Sequence, residues 1–325
     1  GILKQEIWYD FIKIMRTFLT LIFLFFSTTA LSETYEEGLD AYNKGDYNLA
    51  FDILIALAEE GHLQSQIIIA EMYSNGEGTN KHSGMAQYWK EQIFYTYKSL
   101  ADEGNAGGQY LVGEKYYTGD GVEKDMNQAI KYTRLSAEQG FAKAQYNLGT
   151  FYYFGEGVEK DLEKAFDLIL LSAEQGFATA QYGIGNMIYF GEGVPQDEFK
   201  GVEWIELAAN QGFIEAIYAL GEFYYFTEGP LVKDYDKSFK WFRLGALKGH
   251  AQSQYFLGWM YFSGHGTEVN REEAYKWNYL AKANGLHNKD TVFNDEKLEE
   301  ELSKSKVKEI QKLAIECIDN NYEGC

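Results

Sequence analysis

The sequence predicts an all-α solenoid, a stack of antiparallel helix pairs closed by a C-terminal helical cap. Three observations carry that prediction. The first is a near repetition: AEQGFAKAQYNLGTFYYFGEGVEKD begins at Ala137 and AEQGFATAQYGIGNMIYFGEGVPQD at Ala173, 36 residues on. The second is a pair of alternating turns. One recurs as AEEG from Ala58, ADEG from Ala101, AEQG from Ala137 and Ala173, ANQG from Ala209, ALKG from Ala246 and KANG from Lys282. The other recurs from Gly76, Gly119, Gly155, Gly191, Thr227 and Gly264, at intervals of 43, 36, 36, 36 and 37 residues. The third is the apolar spacing between turns. Ala144, Leu148, Gly149 and Tyr152 share one helical face, and Ala165, Leu168, Ile169 and Ser172 share another, a period of three to four residues. A lone helix pair cannot bury both faces, so neighbouring pairs must stack.

In chain order, residues 1–32 stand apart. Met15 and Arg16 precede an apolar run from Phe18 to Phe26 broken only by Thr20, too short for a spanning helix of about 20 residues. A basic start, a short apolar core and small residues at Ala30 and Ser32 describe a cleavable secretory signal peptide from Met15 to about Ser32. Residues 1–14 then lie upstream of the start. The expected location is periplasmic or secreted. Residues 33–57 contain a helix–turn–helix pattern without the Gly-x-Gly insert and read as a tetratricopeptide-like N-terminal cap. Residues 58–290 are the repeats. Their first full unit is seven residues too long between Ala86 and Ala101. Seven residues is close to two helical turns, so an extended second helix is expected there. In each unit a residue such as Asp161 has the short acceptor side chain that caps a helix, and Gly176 stands where a left-handed residue ends one. Thr227 replaces a turn glycine, so that turn should differ in shape. Residues 291–325 are polar with one apolar face and read as two capping helices broken near Ser303, then a tail.

The motif AxAQYxLGxxYxxGEGVxxDxxKA, followed by an aromatic-containing helix and AxxG, resembles the Sel-one-like repeat, a relative of the tetratricopeptide repeat. The resemblance runs from about residue 35 to 290. It implies a right-handed superhelix of helix pairs and service as a non-catalytic scaffold or adaptor in protein complexes.

The chain carries 49 acidic against 29 basic residues, a net charge of −20. That field repels phosphate backbones and anionic headgroups, so nucleic acid and membrane surfaces are poor partners. No metal or cofactor is expected: the five histidines make no i, i+4 pair, and ligand spacing is absent. His62 and His250 occupy the post-turn position of Phe141, and His265 replaces a turn glutamate. Ser303-Lys-Ser-Lys306 matches Ser-x-x-Lys in letters, but its companion motifs are missing, so no catalytic residue is assigned. The two cysteines, Cys317 and Cys325, are expected to form one disulfide at the C-terminal end.

An unusual feature precedes the inner turns: FYYF at Phe151, MIYF at Met187, FYYF at Phe223 and MYFS at Met260. Core packing asks for one aromatic per helix, represented by Tyr152, Tyr224 and Tyr261. The surplus is Phe151, Tyr153, Phe154, Tyr189, Phe190, Phe223, Tyr225, Phe226 and Phe262. These rings either seal the loops onto the next repeat or form a ladder for a partner, since Tyr and Phe give binding hot spots large area at modest entropic cost. The expected partner is a protein or peptide. Acidic neighbours such as Glu156, Glu192 and Glu228 favour one bearing Lys or Arg beside apolar residues. Two other readings stand beside it: a binder or hydrolase of a small cell-wall-derived ligand, and a structural spacer.

Overall fold

A computed structural model describes residues 34–226, 232–287 and 297–325. It divides into two compact units, one ending at Gln139 and one beginning at Gly140. Every regular element among the described residues is a helix.

In the first unit α1 covers 34–43. It is followed by α2 (Tyr47–Glu59), α3 (Leu63–Asn75), α4 (Ser83–Asp102), α5 (Ala106–Thr118) and α6 (Met126–Glu138). From α2 onward each helix packs on the next. Ala50, Leu54, Ile69, Met72, Trp89 and Ile93 form one core cluster; Phe94, Ala101, Val112 and Tyr132 form another. The seven extra residues extend α4 to 20 residues, against 13 for its neighbours α3, α5 and α6, as the sequence predicts.

The second unit continues with α7 (Ala142–Phe154), α8 (Leu162–Glu174), α9 (Ala178–Phe190), α10 (Glu198–Asn210), α11 (Ile214–Tyr225), α12 (Tyr235–Ala246), α13 (Ala251–Ser263) and α14 (Arg271–Ala283). A short helix α15 (297–301) and α16 (Lys304–Asp319) close it. Here too consecutive helices pack as antiparallel pairs, and α16 covers α14. Leu298 and Ile310 join Ala274 and Tyr275 in the cluster that seals this end.

Local chemistry sets the helix boundaries. Asp161 caps α8, its carboxylate accepting from Lys164 N at 3.0 Å. Asp125, Asp197, Asp234 and Asn270 do the same for α6, α10, α12 and α14. Gly155 ends α7 in the left-handed conformation at φ 75°, which a Cβ disfavours. Thr227, and with it the turn expected to differ in shape, lies outside the described residues. α11 stops at Tyr225, and Phe226 adopts an extended conformation (φ −92°, ψ 150°), where the equivalent helices α7 and α9 run one residue further and end in glycine.

Side chains also tie the pairs together. Gln181 is buried; its amide donates to Ala173 O at 3.3 Å, and its Oε1 accepts from Gln211 at 2.7 Å. Thus one glutamine bridges the turn before its helix and the turn after the next. Gln109 makes the same two bonds with Ala101 O and Gln139, and Gln254 with Ala246 O and Asn284.

Candidate functional site

The aromatic runs fall at the C-terminal ends of α7, α9, α11 and α13, and successive positions meet different surroundings. Phe151 points inward and is 6 % exposed, in the column that holds the buried Met187 and Met260. It belongs to the core and offers a partner nothing. Tyr224 is buried as well.

The tyrosine column joins neighbouring turns. Tyr153 OH donates to the Glu192 carboxylate at 2.7 Å; that bond and partial burial raise the phenol above its ordinary pKa. Tyr189 stacks on Phe223 with centroids 5.0 Å apart and planes at 18°, and burial raises its phenol too. Tyr225 is 9 % exposed. Its hydroxyl accepts from Trp259 Nε1 at 2.7 Å and lies 2.9 Å from His265 Nδ1. With Trp259 donating, the tyrosine proton is free to go to His265. The same geometry recurs in the first unit, where Tyr42 OH donates to Glu77 at 3.2 Å. The sequence offers Glu192, at the middle of its inner turn, as an acid for a basic partner, and His265 only as the replacement of such a glutamate. In the structure Glu77, Glu192 and His265 receive the tyrosine of the preceding repeat. Glu192 is therefore engaged within the chain; Glu228 lies outside the described residues.

The phenylalanine column is different. Phe154, Phe190 and Phe226 are 66 %, 63 % and 45 % exposed. Each is braced edge-on by the tyrosine before it, at 4.8, 4.9 and 4.9 Å between centroids. Phe262, by contrast, is covered: Arg271 lies over its ring at 4.3 Å and Lys297 at 4.9 Å, and it packs against the sealing cluster. Of the nine surplus aromatics, three are left facing solvent in equivalent places on three successive helix pairs.

The remaining candidates resolve into structure. Ser303 caps α16, its hydroxyl accepting from Lys306 N at 3.3 Å, while the Lys306 ammonium pairs with Glu309 and Glu272. His62 and His250 cap α3 and α13 through Nδ1. Cys317 and Cys325 sit with sulfurs 2.12 Å apart, a disulfide-capable pair reached through a turn in which Asn321, Tyr322 and Gly324 have positive φ. Among the described residues no group of three or more His, Cys, Asp or Glu is placed to hold a metal ion, and no helix is long and apolar enough to cross a membrane.

A sequence model of the Sel1 repeat matches residues 27–62, 106–141, 142–177, 178–213, 214–250 and 251–286. The chain belongs to the Sel1 repeat family. The matches coincide with the helix pairs just described; the one complete pair left out is α3–α4, whose second helix is over-long. Comparison with curated proteins returns no match. Among solved structures, the chain resembles c5321, described as a protective antigen present in uropathogenic Escherichia coli strains displaying an SLR fold. Identity is 28 % and the TM-score 0.62 over 90 % of this chain and 62 % of that one. It also resembles a Sel1 repeat protein from Oxalobacter formigenes, at 27 % identity and a TM-score of 0.62, covering 83 % of this chain and 76 % of that one. This Sel1 chain thus spans under two thirds of the length of the Escherichia coli protein. Sel1 repeats are generally protein-interaction scaffolds, the coarse function that membership carries.

Proposed function

We propose that this Sel1 repeat chain is an exported, non-catalytic scaffold that holds another protein through Phe154, Phe190 and Phe226. The observation that carries the reading is their exposure in register. Three large apolar rings stand in solvent on successive pairs, while the aromatics beside them are consumed by packing. Exposed aromatics of this kind are the side chains that anchor protein interfaces. The braced geometry lowers the entropy lost on docking, since each ring already leans on its tyrosine. The excess of 49 acidic over 29 basic residues favours a partner whose apolar anchors are flanked by Lys or Arg. Export rests on the signal-like stretch from Met15 to about Ser32, with the Cys317–Cys325 pair suited to an oxidising compartment.

The test is photo-crosslinking in the native host, with a benzophenone amino acid at position 190 and, as control, at Leu207, which is also exposed but lies on α10. The expected result is one discrete protein adduct at 190 that disappears when Phe154→Ala and Phe226→Ala are added. Equal adducts at both positions, or an adduct indifferent to the added substitutions, would overturn the reading.

A further inference from the structure

A second site lies in the first unit. A cleft of about 470 Å³ opens between α2, α3 and α4, lined by Ile55, Gln66, Tyr73, Met85, Tyr88 and Trp89, with Glu59 at its edge. Its volume is in the range of small-ligand pockets and far above that of one water. Two of its lining side chains are more than nine-tenths buried, Gln66 at 5 % and Trp89 at 3 % exposure. Both carry a polar atom without a partner, Gln66 Oε1 and Trp89 Nε1.

Comparison along the chain shows why each is orphaned. Elsewhere the glutamine of this column receives an amide from the end of the following helix: Gln109 from Gln139, Gln181 from Gln211, Gln254 from Asn284. The seven extra residues of α4 put Thr96 at that place, and its hydroxyl turns back to Gln92 O. The turn residue itself has become Glu103, a carboxylate with no proton to give. Gln66 keeps only its other bond, to Ala58 O at 3.2 Å. Trp89 has a counterpart in Trp277, whose indole N–H donates to Glu273, four residues earlier, at 2.9 Å. Four residues before Trp89 stands Met85, which cannot accept as a carboxylate does. One repeat therefore lacks both internal partners, and the two residues that lack them line the same cleft. A buried polar group left unpaired is costly and asks for an explanation.

We propose that this cleft binds a neutral amide group of a peptide ligand, the ligand carbonyl accepting from Trp89 Nε1–H and the ligand N–H donating to Gln66 Oε1. The required pattern is one acceptor for Trp89 and one donor for Gln66. An ammonium has nothing to offer Trp89, a carboxylate has nothing to offer Gln66, and Glu59 repels the carboxylate further. The apolar walls of Ile55, Tyr73 and Tyr88 take the flanking carbon atoms. Both orphan atoms are closed off from solvent, so the ligand enters by displacing Met85, a half-buried, unbranched side chain that adapts readily.

The experiment follows the tryptophan indole N–H resonances, Trp89 among them, during titration with N-acetyl-glutamine methylamide, Trp89 being assigned through Trp89→Phe. The Trp89 resonance is expected to move downfield saturably while the other indole resonances stay put. Gln66→Met should weaken saturation about tenfold, the loss expected for one hydrogen bond to a buried acceptor. Met85→Glu supplies Trp89 with the carboxylate that Glu273 gives Trp277, and should abolish saturation while the fold persists by circular dichroism. A Trp89 resonance indifferent to the probe overturns the proposal. So does a saturable shift undiminished in both Gln66→Met and Met85→Glu, which would place the probe elsewhere.

Discussion

At the scale of single residues, two glycines that look alike in the repeat perform different tasks. Gly176 ends α8's turn at φ 86° with nothing within 4 Å of where a Cβ would be. Gly193 also has positive φ, but a Cβ there would lie 2.4 Å from Leu162 O, backbone of the preceding pair. Alanine at 176 meets only left-handed strain, about 1–2 kcal/mol. Alanine at 193 meets that strain and a backbone clash, so Gly193→Ala should cost clearly more than Gly176→Ala in urea melts; equal costs would refute the close approach. His250 gives a pH-dependent counterpart. Its Nδ1 accepts from Ser253 N at 3.3 Å as the cap of α13. Burial lowers the imidazole below its ordinary value of 6.5, with Glu215 opposing. The unfolded chain thus takes up this proton at a higher pH than the folded one. Stability falls as pH drops below about 6.5 and levels off below the folded pKa. His250→Asn keeps a cap of the kind Asn105 provides for α5 without the titration. Denaturant melts at pH 7.5 and 5.5 should show a smaller pH dependence for the variant; an unchanged dependence contradicts the assignment.

Among the elements, the glutamine bridge is the device that registers one pair on the next. Removing its exposed half leaves a buried acceptor unpaired, which costs about 1–3 kcal/mol. Gln211→Ala should therefore destabilise the second unit by that amount through Gln181. Glu103→Ala, in the corresponding turn of the over-long pair, should stay within about 0.5 kcal/mol of the parent. A chemical-denaturation comparison of the two separates a working bridge from a merely recurrent letter. The seven-residue extension is readable from spacing alone because it preserves helical facing. Its consequence at Gln66 is not, since the vacancy becomes visible only once the bonds of the other glutamines are known. For the same reason Asp161 is legible as a cap from its position, while Glu192 and His265 are not legible as tyrosine partners: that contact crosses from one repeat to the next.

For the whole molecule, the repeat length, the turns and the helical period already dictate stacked helix pairs, and the structure and the family matches agree with them. The aromatic surplus is legible as a surplus but not as two columns with separate fates. FYYF presents four rings in a row, and a change of one residue turns a side chain by about 100° around a helix, enough to exchange a buried place for an exposed one. Only packed neighbours decide which ring is mortar and which is free. That division is the central claim, and a paired measurement on adjacent residues tests it most directly: melting and partner capture for Tyr189→Ala and Phe190→Ala. Tyr189→Ala should lower stability by about 2 kcal/mol through its lost stack on Phe223. Phe190→Ala should melt within about 0.5 kcal/mol of the parent yet lose about 2 kcal/mol of binding to the crosslinked partner. The reverse pattern, with Phe190→Ala unfolding the chain and binding its partner undiminished, would contradict the account.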